Sequence, residues 1–288
     1  MRKKQSRATT EAAWQAGIAT EVSFWDEYIA TRGGQWPEDF QVRMDPHYPL
    51  QKNVIEVLQE PIPTHLKLLD VGAGPLTYLG KVWPGHAVDI TAVDPLANEY
   101  GAIFEKYGLT PPVQTEVGFA ERLVEQFGEN QFDLVHARNC IDHSADPALA
   151  IRQMVAVTKP GGVVYMHHAV NEAVMQAYHG FHQWNLFGTR DCLYVGNRER
   201  TVNMTWQLAA VANVENQIFG NNEWIATRIY KRADQPWLSQ VRQMASARYR
   251  ARPGFQALRE AKAFALSVAS RGYARLATQV RGGSRTAS

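Results

Sequence analysis

The chain has 288 residues, 45% hydrophobic and 20% charged, and Lys+Arg 30 against Asp+Glu 28 leaves a formal net charge of +2. That balance belongs to an ordinary globular protein and excludes disorder, a collagen-like repeat and a coiled coil. No window reaches the ~18 consecutive apolar residues of a spanning helix, and Cys140 and Cys192 are too few for a disulfide framework and lack metal-ligand spacing.

In chain order, residues 11 to about 30 carry Trp14, Ile18, Val22, Trp25 and Ile29 near a 3.6-residue spacing, which predicts a helix stopped by Gly33-Gly34. A loop from Trp36-Pro37 to Pro49 leads to a short helix around Asn53 to Gln59, ended by Pro61 and Pro63. From there short apolar strands alternate with amphipathic helices, the pattern of βαβ units on a parallel sheet. The strands read as Leu66 to Val71, Asp89 to Val93, Val113 to Thr115, Phe132 to Ala137 and Val163 to Ala169. Helices are expected at Pro75 to Lys81, Leu96 to Tyr107, Ala120 to Phe127 and Pro147 to Val157. An irregular segment follows Ala169, then a helix near Trp206 to Val211. Two further strands, Val214 to Phe219 and Trp224 to Tyr230, are joined by Gly220-Asn221-Asn222, a turn short enough for an antiparallel hairpin.

The most informative stretch is Lys67-Leu-Leu-Asp-Val-Gly-Ala-Gly-Pro75, an apolar strand running into an acid and a Gly-x-Gly turn. Gly72 and Gly74 let the backbone bend sharply and admit a ligand against bare main chain. A dinucleotide fingerprint wants Gly or Ala where this chain has Thr77. Asp94, ending the next strand, can accept both hydroxyls of a ribose lying across the strand ends. Alone, Asp70 also reads as a helix cap and Asp94, before Pro95, as a turn former; at corresponding strand ends they favour a ligand.

On these residues the chain resembles the class I S-adenosylmethionine-dependent methyltransferases. Asp70-x-Gly72-x-Gly74 matches their first motif, with Leu76 where many members have a third glycine, and Asp94 matches the ribose-binding acid. Phe119-Ala120-Glu121 falls where members line the adenine, Phe132-Asp-Leu-Val135 begins the fourth strand, Asn139-Cys-Ile-Asp-His143 resembles their acid-His pair and Lys159-Pro-Gly-Gly162 the turn before the fifth strand. The resemblance implies an α/β, Rossmann-like, seven-stranded mostly parallel sheet with an antiparallel last strand, a helical N-terminal cap and a helical C-terminal extension. It divides the chain into a cap or lid over residues 1–64, a cofactor-binding domain over 65–231 with an acceptor-side insertion over 170–212, and a tail over 232–288. It implies S-adenosyl-L-methionine as cofactor, held by Asp70, Gly72, Ala73, Gly74, Asp94, Pro95, Ala120, Glu121, Arg138 and Asn139.

Six of the nine histidines fall within residues 136 to 182. A histidine suits the proton acceptor in methyl transfer to a hydroxyl, because its pKa lies near neutrality. His168, near the end of its strand, is the first choice, with His143 and His182 beside it; for each, a packed or surface role is the alternative, and His136 reads as structural. The segment from Asn171-Glu172 to Gly180-Phe-His-Gln-Trp-Asn-Leu-Phe187 is similar to methyltransferases of bacterial polysaccharide pathways. By that resemblance Asn171, Glu172, His182, Gln183 and Asn185 bind a sugar or glycan hydroxyl and Trp184 its C–H face, with Tyr28, Trp36, Trp25 and Arg43 in the lid. The other reading is a polar loop with one anchoring Trp. Asp142, His168 and Glu172 are donors suited to Mg²⁺ beside two vicinal hydroxyls. Methylation of another small metabolite at O, N or C, and a non-catalytic partner-binding protein, are the alternative functions.

The near-zero charge is a cancellation. Residues 1–10 carry four basic and no acidic residues and residues 232–288 eleven basic and two acidic, whereas residues 11–231 sum to −11. After Pro253-Gly254, Phe255, Leu258, Leu266, Tyr273, Leu276 and Val280 share one side of a helical wheel that Arg259, Arg271, Arg275 and Arg281 avoid. Such a tail fits a homodimer or other protein contact, or peripheral contact with an anionic membrane; sparse aromatic residues argue against nucleic acid. Small and polar residues after the basic start are not a secretory signal, so the expected location is cytoplasmic, with the inner membrane face as the peripheral alternative.

Overall fold

The computed structural model describes residues 17–233. Trp14 and the basic tail beyond residue 233 lie outside the described residues. Ten strands and eight α-helices are used below, with α1 taken as helical residues 17–30. The strands are β1 His65–Val71, β2 Ala87–Asp94, β3 Thr115–Val117, β4 Phe132–Arg138, β5 Thr158–Ala169, β6 Asn185–Thr189, β7 Cys192–Gly196, β8 Thr201–Asn203, β9 Ala212–Phe219 and β10 Trp224–Lys231. The remaining helices are α2 Pro37–Met44, α3 Lys52–Ile55, α4 Ala97–Tyr107, α5 Leu123–Phe127, α6 Pro147–Val157, α7 Glu172–Met175 and α8 Met204–Leu208.

Seven strands form one sheet in the order β3-β2-β1-β4-β5-β10-β9. β1, β2, β3, β4 and β5 pair in parallel, and β10 runs antiparallel between β5 and β9. This is the mostly parallel Rossmann-like sheet with an antiparallel last strand. Its central strands are near-continuous apolar runs because both faces are covered. Leu68, Leu69, Leu134, Val135, Val163 and Val164 are all at most 1% exposed, each such side chain contributing roughly 1.5–3 kcal/mol.

Local chemistry sets the helix ends. Asp146 accepts a hydrogen bond from the Leu149 N–H at 3.0 Å and Pro147 opens α6. Gly108 closes α4 in the left-handed conformation, φ 61°. α2 occupies what reads in the sequence as loop: Pro37 stands in its first turn with Glu38 and Asp39, Arg43 in its last, and Phe40 is buried.

Two further expectations do not hold. Residues 75–81 form turns and bends, not a helix. The preceding loop takes over their backbone groups: Gln51 Oε1 accepts from the Gly80 N–H at 2.9 Å, Gln51 Nε2 donates to the Tyr78 carbonyl, and the Lys81 N–H donates to the Tyr48 carbonyl at 2.7 Å. Thr77 Oγ1 also accepts from the Leu79 N–H at 3.1 Å, an alternative to helical bonding. The segment after Ala169 is not irregular throughout: β6, β7 and β8 form an antiparallel three-stranded sheet. Leu186, Leu193 and Val195 bury it in the main core cluster.

The apolar side of α1 packs elsewhere. Ile18, Val22, Trp25, Tyr28 and Ile29 join Phe40, Leu96, Tyr100, Ile103, Phe104 and Phe181 in a separate cluster. This places α1 over the carboxyl end of the sheet. Among the described residues no helix is long and apolar enough to cross a membrane.

Candidate active site

The turn after β1 is fixed from both sides. The Gly72 and Ala73 N–H groups donate to the Val93 carbonyl at 2.8 and 3.1 Å, and Thr115 Oγ1 donates to the Gly74 carbonyl at 2.8 Å. Gly72 has φ 65° and Gly74 φ 64°, backbone positions that suit glycine. A Cβ on Gly72 would meet the Cys140 side chain at 2.6 Å, and one on Gly74 would meet the Trp25 ring at 2.9 Å.

Beside this turn lies a cavity of about 600 Å³, within the size range of small-molecule and cofactor sites. Gly72, Asp94 and Pro95 form one wall, Gly118 to Arg122 another, and Cys140, Ile141, His143 and Ser144 to Asp146 a third. Glu21 of α1, Phe181 and Gln183 complete it. Asp94 accepts from the Leu96 N–H at 2.9 Å and the Gly74 N–H at 3.1 Å. Burial pushes its pKa up to about 6, against the pull of those two N–H groups. Burial also holds the Cys140 thiol well above its usual range, which keeps it protonated and unsuited to act as a nucleophile.

Of the residues expected to hold a cofactor, Gly72, Asp94, Pro95, Ala120 and Glu121 line this cavity. Asp70, Ala73, Gly74, Arg138 and Asn139 are not in its lining. Asp70 is 2% exposed, accepting from the Thr77 hydroxyl at 2.6 Å and bonded to His136 Nδ1 at 2.7 Å. Strand alternation explains this: Asp70 and His136 are register partners on β1 and β4 and share a face. Burial alone would raise the Asp70 pKa, but the His136 charge and hydrogen bond lower it. Arg138 stacks on the Tyr78 ring at 4.0 Å, and Asn139 Oδ1 accepts from the Ala169 N–H at 3.0 Å.

The histidines resolve differently from their order of choice. His168 is 1% exposed, and its Nε2 accepts from the backbone N–H groups of Ile141 at 3.2 Å and Cys140 at 3.4 Å. Burial lowers its pKa to about 3, so the ring stays neutral. This ring anchors the turn after β4, and its acceptor nitrogen is already engaged, which does not suit a proton acceptor. His143 and His182 instead converge on Asp142. His182 Nδ1 lies 2.8 Å from Asp142 Oδ2, His143 Nε2 lies 3.5 Å from the same oxygen, and the two ring nitrogens are 3.2 Å apart. Burial opposes charge on both partners, yet the His182 hydrogen bond and opposite charges lower the Asp142 pKa and raise that of His182.

The expected sugar-binding set disperses. Trp184 is 4% exposed within the core cluster, so its face is not open to a ligand. Asn185 is 6% exposed, accepting from the Val174 N–H at 3.1 Å and donating to the Tyr178 hydroxyl at 3.2 Å. Glu172 Oε1 accepts from Gln176 at 2.9 Å. Asn171 caps α7 in the left-handed region, φ 58°. Gln183 lines the cavity while its amide donates to the Tyr178 and Gly180 carbonyls. Of the expected lid, Trp36 is 54% exposed, and the Tyr28 hydroxyl donates to Asp39 at 2.8 Å. The Mg²⁺ trio likewise separates, since the described groups close enough to share an ion are Asp142, His143 and His182. Glu21 lines the cavity without standing among the expected residues, although an acid among Ile18, Val22 and Trp25 on the apolar side of a helix is a visible signal. Phe181, which packs against Gly17, left no comparable signal.

A glycine turn, a carboxylate on the next strand and a cavity at the carboxyl ends of a parallel sheet define a nucleotide-type ligand-binding α/β protein. The family described as Methyltransferase domain matches residues 42–217, more than half of the chain, and the chain belongs to it. It is 29% identical over 161 residues to the ubiquinone biosynthesis O-methyltransferase of Bordetella avium, covering 54% of this chain and 65% of that protein. It is 28% identical over 97 residues to phosphoethanolamine N-methyltransferase 2 of Caenorhabditis elegans, covering 34% of this chain and 22% of that one. Both matches therefore span less than two thirds of the relative's length. A solved S-adenosylmethionine-dependent methyltransferase from Clostridium acetobutylicum aligns at 13% identity over 73% of this chain and 99% of that one, with a TM-score of 0.43.

Proposed function

We propose that this protein is an S-adenosylmethionine-dependent methyltransferase acting on a hydroxyl of a small-molecule acceptor. The observation that carries the reading is one cavity lined by Gly72, Asp94 and Ala120 on one side and by His143 on the other, with His143 in contact with His182 and Asp142. The cavity's residues fit the cofactor: Gly72 leaves no side chain over the turn, Asp94 offers carboxylate oxygens to ribose hydroxyls, and Gly118 to Glu121 offer a mixed apolar and polar wall for a base. When bound, S-adenosylmethionine supplies an electrophilic methyl on a sulfonium sulfur.

The chain's own work is then to bind, orient and handle one proton. Phe181, Ile141 and Leu149 contribute apolar side chains to the cavity wall. Asp142, His143 and His182 are the groups suited to the loss of the hydroxyl proton, and His168 holds their turn through the Cys140 and Ile141 N–H groups. A sugar or glycan hydroxyl remains one member of the acceptor class, with Glu21 and Gln183, which line the cavity, as its hydrogen-bonding groups and no stacking face from Trp184. The relatives' names favour small-molecule acceptors over polymers.

The test is calorimetry of the full chain with S-adenosylmethionine, then mass spectrometry of phenolic, catecholic and sugar acceptors incubated with both. The expected results are saturable binding, weakened at least tenfold by Asp94→Ala, and a methyl mass increment on a hydroxylated acceptor. Absence of cofactor binding would refute the reading. Binding without transfer to any hydroxyl would favour the non-catalytic alternative.

A further inference from the structure

We propose that Asp142, His143 and His182 form a divalent-metal site at the cavity wall, suited to a first-row transition-metal ion such as Zn²⁺ or Mn²⁺ and not to Mg²⁺. The metal site stands on its own geometry; its part in catalysis rests on the methyltransferase reading above. His143 Nε2, His182 Nδ1 and Asp142 Oδ2 are separated by 3.2, 2.8 and 3.5 Å. Ligand atoms about 2.0–2.2 Å from a common ion lie roughly 3.0–3.5 Å apart in octahedral or tetrahedral arrangement. Seating an ion therefore needs shifts of only a few tenths of an ångström.

Hydrogen bonding alone leaves this triangle incompletely satisfied. If both rings donate to Oδ2, the two nitrogens face each other as donors; if one ring donates to the other, the accepting nitrogen turns a lone pair toward the carboxylate. At most two of the three edges carry a proton, whereas a cation satisfies all three. A second observation points the same way: Asp142 is 1% exposed and its other oxygen, Oδ1, is buried without a hydrogen-bond partner among the described residues. A buried carboxylate with an idle oxygen is costly unless a positive group sits beside it.

The donor set selects the ion. Two imidazoles and one carboxylate suit Zn²⁺, Mn²⁺ or Fe²⁺, while Mg²⁺ prefers an all-oxygen shell. Asp142 and His143 are held on the turn after β4, and His182 comes from the loop before β6. His143 lines the cavity, so an ion here keeps its remaining positions toward the acceptor. Its charge would lower the pKa of an acceptor hydroxyl at that position: the O–H bond breaks and the proton passes to water, and the oxygen's electron pair forms the new bond to the methyl carbon while the carbon–sulfur bond breaks and its pair stays on sulfur, leaving a neutral thioether. In that state the histidines are ligands and not the proton acceptor.

The experiment uses the full chain, stripped with chelator and titrated with Zn²⁺ and Mn²⁺ by calorimetry, and with Co²⁺ by visible absorption. The expected result is one ion per chain, visible Co²⁺ bands displaced by Zn²⁺, and at least tenfold weaker binding in Asp142→Asn and His182→Gln. Far-UV circular dichroism and a cooperative urea unfolding transition like that of wild type show that the variants are folded. If Asp142→Asn does not unfold cooperatively, His143→Gln, at a 21% exposed side chain, takes its place. No stoichiometric Zn²⁺ or Mn²⁺ binding by the wild-type chain, or unchanged binding in a folded variant, would overturn the site. Metal binding without cofactor binding would instead overturn the methyltransferase reading and leave the metal site intact.

Discussion

Asp94 is a buried carboxyl that accepts hydrogen bonds from two backbone N–H groups, and its titration should be visible in both stability and binding. Burial raises its pKa from 3.8 to about 6. Because the native pKa lies above the unfolded one, the native state holds the extra proton between those values. The ionised carboxylate therefore carries no penalty below about pH 4, a growing one as pH rises through the window, and the full one above about pH 6. Two pH units correspond to about 3 kcal/mol. Asp94→Asn does not titrate, and its constant cost, the loss of one acceptor for the Gly74 or Leu96 N–H, drops out of any comparison across pH. Urea unfolding of both proteins at matched ionic strength should show the stability difference moving against wild type by about 2–3 kcal/mol between about pH 4 and pH 7. The same ionised oxygens would receive the ribose hydroxyls. Wild-type affinity for S-adenosylmethionine should then fall about tenfold from pH 7 to pH 5, while the weaker affinity of Asp94→Asn stays flat. Parallel stability curves together with a pH-independent wild-type affinity would refute this account of Asp94.

Gly72→Ala places a side chain at φ 65° and against Cys140, so it should destabilise the fold by about 2–5 kcal/mol and abolish cofactor binding. Adding Cys140→Gly should restore about 1–3 kcal/mol of that loss in a double-mutant cycle, the steric part but not the backbone part; no coupling between the sites would contradict the contact. His168→Ala strands the Cys140 and Ile141 N–H groups and should lower stability by about 2–5 kcal/mol in denaturant unfolding. A His168→Ala protein of wild-type stability that binds cofactor but does not turn over would return His168 to the role of proton acceptor.

The sheet was legible because its central strands are buried on both faces and read as apolar runs, as in Leu66 to Val71 and Phe132 to Ala137. Which strand ends face the cavity was also legible, since Gly72 and Asp94 stand at corresponding ends. The segment after β1 was not, because its helical bonding is replaced by bonds to Gln51 and Tyr48, some 30 residues earlier, a tertiary choice that periodicity does not record. The same limit applies to the site. His182 joins Asp142 only through the fold, across 40 positions of sequence. His168 looked reactive by its place at a strand end, but the alternation that turned it inward also gave it two backbone donors. Trp184 stands among polar residues in the sequence and reads as a sugar platform, yet the three-stranded sheet draws it into the core. Ranking residues by chemical type thus found the neighbourhood but not which side chains are already engaged.

The position of β10 has a consequence for how the chain is made. It is the last strand in sequence among the described residues but lies inside the sheet, hydrogen-bonded to β5 on one side and β9 on the other. During synthesis the Val163–Ala169 part of β5 must therefore wait with one edge unpaired until residue 231 has emerged, and β9 has no place in the sheet before then. An open edge of that length is the kind of surface on which nascent chains pair wrongly. A chain cut at residue 217, where the family match stops, would keep that edge permanently exposed, so its solubility would be expected to fail before its chemistry could be assayed.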